Sequence, residues 1–368
     1  MTMAPDSFRQ WYLARPIEGE FSPDNFEMRT LPHPPLRDGD ALVRVRLLNL
    51  HPGARFRMQV GLVPIGTTDE SNFAFGEVIA SRNPVFSEGD MVACQAGWQD
   101  YAIIRSDAES IGYGPASEAV CDLNRTRSQW TYVMRPELVA RWPLDTLKEV
   151  FGTSGMTAWF SLRACDPLEP GMNVAVAGMT GSVGHLVAQI AKAAGSRVVG
   201  FGGGPDRCRR ISELIEVDCL DYRAPDFLDQ LRAVFPDGID IFSDGIGGPL
   251  TGAIAPMMKR GGRLLAYGCA DDLHAGGNPG LRGMTLRQQF GISDSVEKIV
   301  AERDIRVECW IVHDFYHERI EAEDALDQLL REGAIKPVVT VVEGFEQLPY
   351  AIMALYDPKA LSKVQAWF

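Results

Sequence analysis

Residues 41–47 (Ala41, Leu42, Val43, Arg44, Val45, Arg46, Leu47) alternate apolar and basic side chains, the period-two signature of a half-exposed strand. Residues 75–79 and 90–94 flank a Glu88-Gly89-Asp90 turn and read as two more strands, and 97–104 as another. These short runs, broken by Pro and Gly, predict a small mostly-β domain, a partly closed barrel. From about Val150 the rhythm changes. Short apolar runs at 173–177, 197–201, 218–220, 239–242, 263–267 and 307–312 read as strands. Between them, 182–194 (Val183, Leu186, Val187, Ile190 and Ala191 on one face), 207–215 and 226–235 have helical periodicity. This alternation predicts an α/β region with a doubly wound parallel sheet. An amphipathic helix at 321–332 and a strand at 338–342 follow. The stretch 106–142 fits neither rhythm, and we read it as an insertion with some structure of its own.

The length of 368 residues argues for two domains. Apolar residues make up 46% and charged residues 23%, the mix of an ordinary soluble globular protein. A formal net charge of −13 weighs against nucleic acid and against anionic membrane surfaces as partners. No window holds about 18 uninterrupted apolar residues, so no bilayer span is predicted. Asp6, Arg9 and Arg15 interrupt the first 16 residues, which do not read as a secretory signal. The seven cysteines (Cys94, Cys121, Cys165, Cys208, Cys219, Cys269, Cys309) are odd in number and scattered. They read as reduced thiols of a cytoplasmic protein.

The candidate chemistry lies in Gly178-Met179-Thr180-Gly181-Ser182-Val183-Gly184, a G-x-x-G-x-x-G loop between a predicted strand and a predicted helix. In that context, glycines let backbone N–H groups approach a pyrophosphate, and the helix aims its positive end at the charge. The competing reading is a tight turn that serves only helix–sheet packing. The end of the next strand bears on which dinucleotide is bound. An NAD site places Asp or Glu about 20 residues after the loop. Here Val198-Val199-Gly200-Phe201-Gly202-Gly203-Gly204 holds no carboxylate, and Arg207, Arg209 and Arg210 follow. Guanidinium groups suit a 2′-phosphate, so NADPH is the predicted cofactor. No metal site is predicted, because the cysteines form no C-x-x-C and His313 and His317 lack a zincin glutamate between them. No G-x-S-x-G elbow occurs either.

Several further motifs appear in order. Gly97-Trp98-Gln99-Asp100-Tyr101, Gly155-Met156-Thr157-Ala158-Trp159-Phe160, Asp244-Gly245-Ile246-Gly247-Gly248 and the segment from Gly262-Arg263 to Gly268 together resemble the medium-chain dehydrogenase/reductase superfamily. The resemblance is to its zinc-free branch of leukotriene 12-hydroxydehydrogenases, prostaglandin reductases, plant double-bond reductases and bacterial curcumin reductases. It covers nearly the whole chain apart from 106–142. It implies a GroES-like domain over 1–145, a Rossmann domain over 146–337 and a C-terminal return over 338–368. Implied cofactor residues are Met156, Thr157, Gly178, Thr180, Gly181, Ser182, Val183, Gly184, Gly203, Arg207, Tyr222, Gly245, Ile246 and Gly268. Arg207 takes the place of the family's 2′-phosphate lysine, and Asp221-Tyr222-Arg223 stands where the family has N-Y-K.

The resemblance implies NADPH-dependent reduction of the C=C bond of a small hydrophobic enone or alkenal by a homodimer. The alternatives are an NADP-dependent alcohol or quinone oxidoreductase and a non-catalytic NADPH-binding protein. The chain departs from the family on the substrate side. The segment D-P-Y-M-R-x-R-M appears as His51-Pro52-Gly53-Ala54-Arg55-Phe56-Arg57-Met58, so its tyrosine is Gly53. A second family tyrosine, near the substrate carbonyl, corresponds to Leu273, and two family asparagines to Gly245 and Ala360. Arg55 and Leu273 are therefore the implied pocket positions. Among Asp271, Asp272 and His274, His274 is the candidate proton donor, since an unperturbed pKa of about 6.5 lets an imidazolium donate near neutrality. The competing reading makes it a surface-loop histidine.

Overall fold

The computed structural model describes residues 5–19, 21–111, 127–128, 130–165, 168–268, 285–355, 357 and 359–368, leaving aside the side chains at 52, 56, 286, 289 and 313. It divides into two compact units, Met1–Lys148 with Thr340–Phe368, and Glu149–Val339.

In the first unit, β1 (Ser7–Leu13) and β2 (Phe26–Pro32) form an antiparallel pair. The eleven-residue β3 (Asp40–Leu50) organises the larger sheet. It pairs along one side with β4 (Phe73–Ser81). Its other side is shared, first with β6 (Tyr101–Arg105) against residues 40–44, then with a strand from the far end of the chain. β5 (Met91–Gln95) continues the sheet beyond β4, and the Glu88-Gly89-Asp90 turn stands just before it. Because β3 is paired on both sides and packed by apolar side chains, it is buried almost throughout and only Arg44 is exposed. The half-exposed strand expected from its alternation is thus a central one. The 97–104 run is strand only from Tyr101. Before it, Trp98 turns into the core and stacks on Phe26 at 4.9 Å. Part of the expected insertion also belongs to this sheet. β7 (Tyr132–Val133) pairs with β5, and Trp130 packs on Phe73 with ring centroids 4.9 Å apart.

The second unit is built on six parallel strands. They are β8 (Asn173–Ala177), β9 (Arg197–Gly202), β10 (Asp218–Asp221), β11 (Ile239–Asp244), β12 (Met258–Ala266) and β13 (Arg306–Cys309). Their spatial order is β10-β9-β8-β11-β12-β13, the doubly wound arrangement whose direction of winding reverses between β8 and β11. β8 is short, apolar and buried at every position, as a strand covered on both faces must be. Phe201, Leu231, Phe242 and Leu264 fill one face of this sheet. The 307–312 run ends as strand at Cys309. A 3-10 helix, Val312–Glu318, follows, and the Asp314 carboxylate accepts the Ile311 N–H at its start.

The chain then returns to the first sheet. β14 (Val339–Glu343) and β15 (Lys363–Trp367) are its last strands, and Val364–Trp367 pair with Leu50–Leu47 of β3. The return is tied to β1, where the Trp11 indole donates to the Phe345 carbonyl at 2.9 Å and the Arg9 guanidinium lies over the Phe345 ring. Among the described residues no helix is long and apolar enough to cross a membrane.

One close approach inside the second unit yields a stability prediction. The helix Thr153–Arg163 packs back on its preceding turn at Gly155, where a Cβ would lie 1.8 Å from the Val150 carbonyl oxygen. Backbone cannot yield as a flexible side chain can. Gly155→Ala should therefore cost about 1–3 kcal/mol, as overpacking does, read as a lower urea midpoint with unchanged slope. An unaltered midpoint would contradict the packing described.

Candidate cofactor site

The reversal point between β8 and β11 is where doubly wound sheets bind ligands, outside the carboxyl ends of the strands. β8 runs into the glycine loop. Gly178 and Met179 donate their N–H groups to the Phe201 carbonyl, at 2.9 and 3.1 Å, so the loop begins against β9. Gly178 has φ +71°, a conformation open to glycine at little cost. The helix begins at Gly184, two residues later than its periodicity suggested. A Cβ on Gly184 would stand 2.4 Å from the Gly178 carbonyl oxygen, so this glycine lets the helix close onto the turn. The packing reading of the loop is therefore correct for Gly184. It does not account for the rest of the loop. Among the described residues no backbone carbonyl takes the N–H of Ser182, Val183 or Gly184, and these groups lie at a helix N-terminus.

His185 and Gln189 brace the loop from within the helix. His185 Nδ1 lies 2.9 Å from the Gly181 carbonyl, and its Nε2 accepts the Val338 N–H at 3.2 Å. The Glu149 carboxylate lies 3.9 Å from the same Nε2, so the imidazole joins the Gly181 turn, residue 149 and the 338 backbone. Gln189 grips the same departing segment, accepting the Lys336 N–H at 2.8 Å and donating to the Lys336 carbonyl at 3.0 Å. Sequence periodicity assigned this face to apolar contacts and missed both residues.

At the ends of β11 and β12, Asp244 organises a second loop. Its carboxylate accepts the N–H groups of Ile246 and Gly247, each at 2.9 Å, and the Thr251 hydroxyl at 2.6 Å. Burial raises the Asp244 pKa despite these donors. Ile246 reaches the first loop, with its Cγ1 3.4 Å from where a Cβ on Gly178 would be. Gly268 sits against Gly245, where a Cβ would meet the Gly245 carbonyl oxygen at 2.4 Å. Gly178, Gly245, Ile246 and Gly268 thus form one continuous surface. Thr180 is buried behind Gly202, which has room for no side chain against it. Met156 is fully buried in its helix, and the Thr157 hydroxyl donates to the Thr153 carbonyl at 2.6 Å, leaving its lone pairs as acceptors.

The end of β9 gathers positive charge. Gly203 lies beneath Tyr222 and Arg223, since a Cβ there would come 3.1 Å from the Tyr222 hydroxyl and 3.0 Å from the Arg223 guanidinium carbon. Arg207, half-buried, has its pKa lowered by burial and then by neighbouring Arg223 and Arg210. Its Nε is buried and has no hydrogen-bond partner. Arg209 points away into exposed ion pairs with Glu213 and Asp206. The nearby Asp221 is engaged by backbone, its Oδ1 accepting the N–H of Gly204 at 2.9 Å and of Arg223 at 3.0 Å. Arg223 is the residue the sequence reading passed over, although the lysine of the family's N-Y-K marks its position. A half-buried Arg207 and an exposed Arg223 beside a glycine floor fit a phosphate monoester, and so fit NADPH.

Full-length relatives share this frame. The chain is 29% identical to the NADPH-dependent curcumin reductase of Escherichia coli (strain K12) over 370 residues, covering 97% of this chain and 95% of that protein. It is 28% identical to prostaglandin reductase 1 of Mus musculus over 361 residues, covering 96% and 97%. Residues 9–111 match the family model described as the N-terminal domain of oxidoreductase, and residues 182–298 match the one described as zinc-binding dehydrogenase. Over nearly its whole length the chain is similar to the zinc-independent medium-chain dehydrogenase/reductases. Among solved structures, CurA from Vibrio vulnificus in complex with NADPH aligns with this chain at a TM-score of 0.76, with 27% identity and 98% of each chain covered. Although one family description names zinc, among the described residues no three His, Cys, Asp or Glu side chains form a group that could hold a metal ion.

The positions expected on the substrate side lie in the first unit or outside the described residues. Leu273, His274, Asp271 and Asp272 are among the latter. Arg55 lies over the Phe21 ring at 4.8 Å. Gly53, at the family's tyrosine position, is coupled to His51, because a Cβ on Gly53 would lie 3.0 Å from His51 Nδ1. The imidazole of His51 occupies the space beside residue 53. Its ring lies 5.5 Å from Phe73, and its Nε2 is shut off from solvent with no hydrogen-bond partner. Burial, then the charges of Lys363, Lys148 and Arg57, lower its pKa to about 3. His51 is therefore neutral at physiological pH and no reservoir of protons there. Since the unfolded chain binds this proton near pH 6.5 and the folded one does not, stability should fall as pH drops from about 6.5 toward 3. The limiting slope for one such group is about 1.4 kcal/mol per pH unit. Denaturant unfolding across that window should show a shallower fall for His51→Gln than for wild type, and parallel curves would mean that His51 titrates normally.

Proposed function

We propose that the protein is an NADPH-dependent reductase of the C=C bond in α,β-unsaturated carbonyl compounds. The observation that carries the cofactor is the arginine group at Gly203, with Asp221 turned to backbone. The relatives named as curcumin and prostaglandin reductases support the substrate class over the alcohol, quinone and non-catalytic alternatives. Arg207 and Arg223 hold the 2′-phosphate by charge-assisted hydrogen bonds, with Tyr222 beside them. The N–H groups of Ser182, Val183 and Gly184 receive the pyrophosphate at the helix N-terminus. The Asp244-braced loop, with Ile246, Gly245 and Gly268, lines the side toward β11 and β12. Bound NADPH supplies a hydride to the electron-poor β-carbon, so no metal is required. The developing enolate oxygen needs hydrogen-bond donors, and with glycine at position 53 no phenol supplies one from there. The proposal extends to a cytoplasmic homodimer, for which the odd, scattered thiols and the family resemblance are the support. Sedimentation of the full chain tests the dimer.

Arg207→Ala should weaken NADPH about ten- to a hundredfold and leave NADH nearly unchanged, the loss of ~1.5–3 kcal/mol expected for a charge-assisted contact. Equal losses for both cofactors, in fluorescence titrations, would sink the assignment of Arg207 to the 2′-phosphate.

The smaller residues at 53 and 273 favour bulky substrates. NADPH oxidation should be faster with large cyclic or aromatic enones than with short alkenals. His274→Ala should cost less than about tenfold in rate, since a true general acid contributes about 10²–10⁴-fold. A hundredfold loss with intact NADPH binding would instead make His274 the proton donor.

A further inference from the structure

The second unit holds a pair of thiols that the reduction chemistry does not use. Cys208 follows Arg207 on the helix Pro205–Ile215 and is buried, while Cys219 is half-buried on β10. Both sulfurs face one carbonyl oxygen, that of Leu220, at 3.2 Å from Cys208 Sγ and 3.9 Å from Cys219 Sγ. The two sulfurs are thus gathered around one atom. The Cys219 S–H supports a thiolate on Cys208 by hydrogen bonding, which lowers the Cys208 pKa and raises that of Cys219. The buried thiols Cys94 and Cys165 are the contrast, since burial pushes each up to about 12. A thiolate is the nucleophile in sulfur oxidation, and a second sulfur within reach resolves the product.

We propose that Cys208 and Cys219 form a dithiol site that hydroperoxides oxidise to an intrachain disulfide, and that closing it weakens NADPH binding. The second half rests on the reading of Arg207 given above. In the first step a thiolate attacks the outer oxygen of ROOH. The O–O bond breaks, ROH leaves after protonation, and a sulfenic acid remains. The other thiol then displaces water from that sulfur. In sum, two thiols and ROOH give a disulfide, ROH and H2O, with two electrons passing from the sulfurs to the peroxide bond.

The consequence for the cofactor follows from what can move. A disulfide brings its sulfurs to about 2.05 Å, closer than any hydrogen-bonded contact between thiols. β10 is fixed along its length by pairing with Val199–Gly202 of β9, and the Gly204–Asp221 bond couples the start of the helix to it. The displacement therefore falls on the first turn of the helix, the turn that carries Arg207.

The test is to treat the reduced full-length protein with tert-butyl hydroperoxide. Intact mass should fall by two hydrogens, and peptide mapping should link Cys208 to Cys219. Oxidation should raise the NADPH Kd about three- to tenfold with little change for NADH, and dithiothreitol should reverse both. Cys219→Ser should abolish the response and Cys309→Ser should retain it. The oxidised and reduced wild-type proteins make the comparison without any variant. Absence of the link overturns the proposal whatever NADPH does, and a link with unchanged NADPH affinity overturns its regulatory half. A reduced protein with no preference for NADPH over NADH would instead count against the cofactor reading.

Discussion

Backbone packed on backbone at the carboxyl ends of the parallel strands is the constraint on which this protein depends. Gly184 closes on the Gly178 carbonyl and Gly268 on that of Gly245. At each contact a single methyl group would stand well inside van der Waals distance. The absence of side chains there brings the ends of β8, β11 and β12 together and leaves N–H groups at the start of one helix without a backbone partner. A site for a phosphate-bearing ligand is the by-product of that packing, because amides that no carbonyl takes must be met by water or by an anion.

Charge is arranged around the same frame. Asp221 and Asp244 accept backbone N–H groups and hold loops in place. The half-buried Arg207 meanwhile feels the charge of the exposed Arg223 beside it, and like charges raise one another's energy. In the function proposed above, a dianionic phosphate would relieve that repulsion. Cys208 stands one residue from Arg207 on the same helix.

The substrate side follows a different logic. Gly53 stands at the position for which the family resemblance implies tyrosine, and the imidazole of His51 fills the space beside it. That imidazole is neutral, buried at Nε2 and surrounded by cations, so it replaces the bulk of the missing side chain without replacing its hydroxyl.

By itself the sequence determined the alternation of strand and helix from residue 173 onward, the glycine loop, and the lack of a carboxylate after β9. Each of these is a local matter of periodicity, turn chemistry or residue type within one βα unit. It also carried the family motifs, which are contiguous. Only the tertiary structure separates Arg207, beside Tyr222 and Arg223, from Arg209, which is drawn into exposed ion pairs. Arg207 and Arg209 lie on one helix, and their different faces toward β10 and toward solvent follow from packing. The burial of β3 was likewise not legible in its alternating pattern, since partners from residues 73–81, 101–105 and 363–367 cover it. His185 and Gln189 look like polar interruptions of an apolar face until the 336–338 segment is brought against them. The pairing of Cys208 with Cys219 arises because a helix and the strand after it fold back on each other. Such contacts join residues far apart in the chain or on different faces of one element, and no local pattern encodes them.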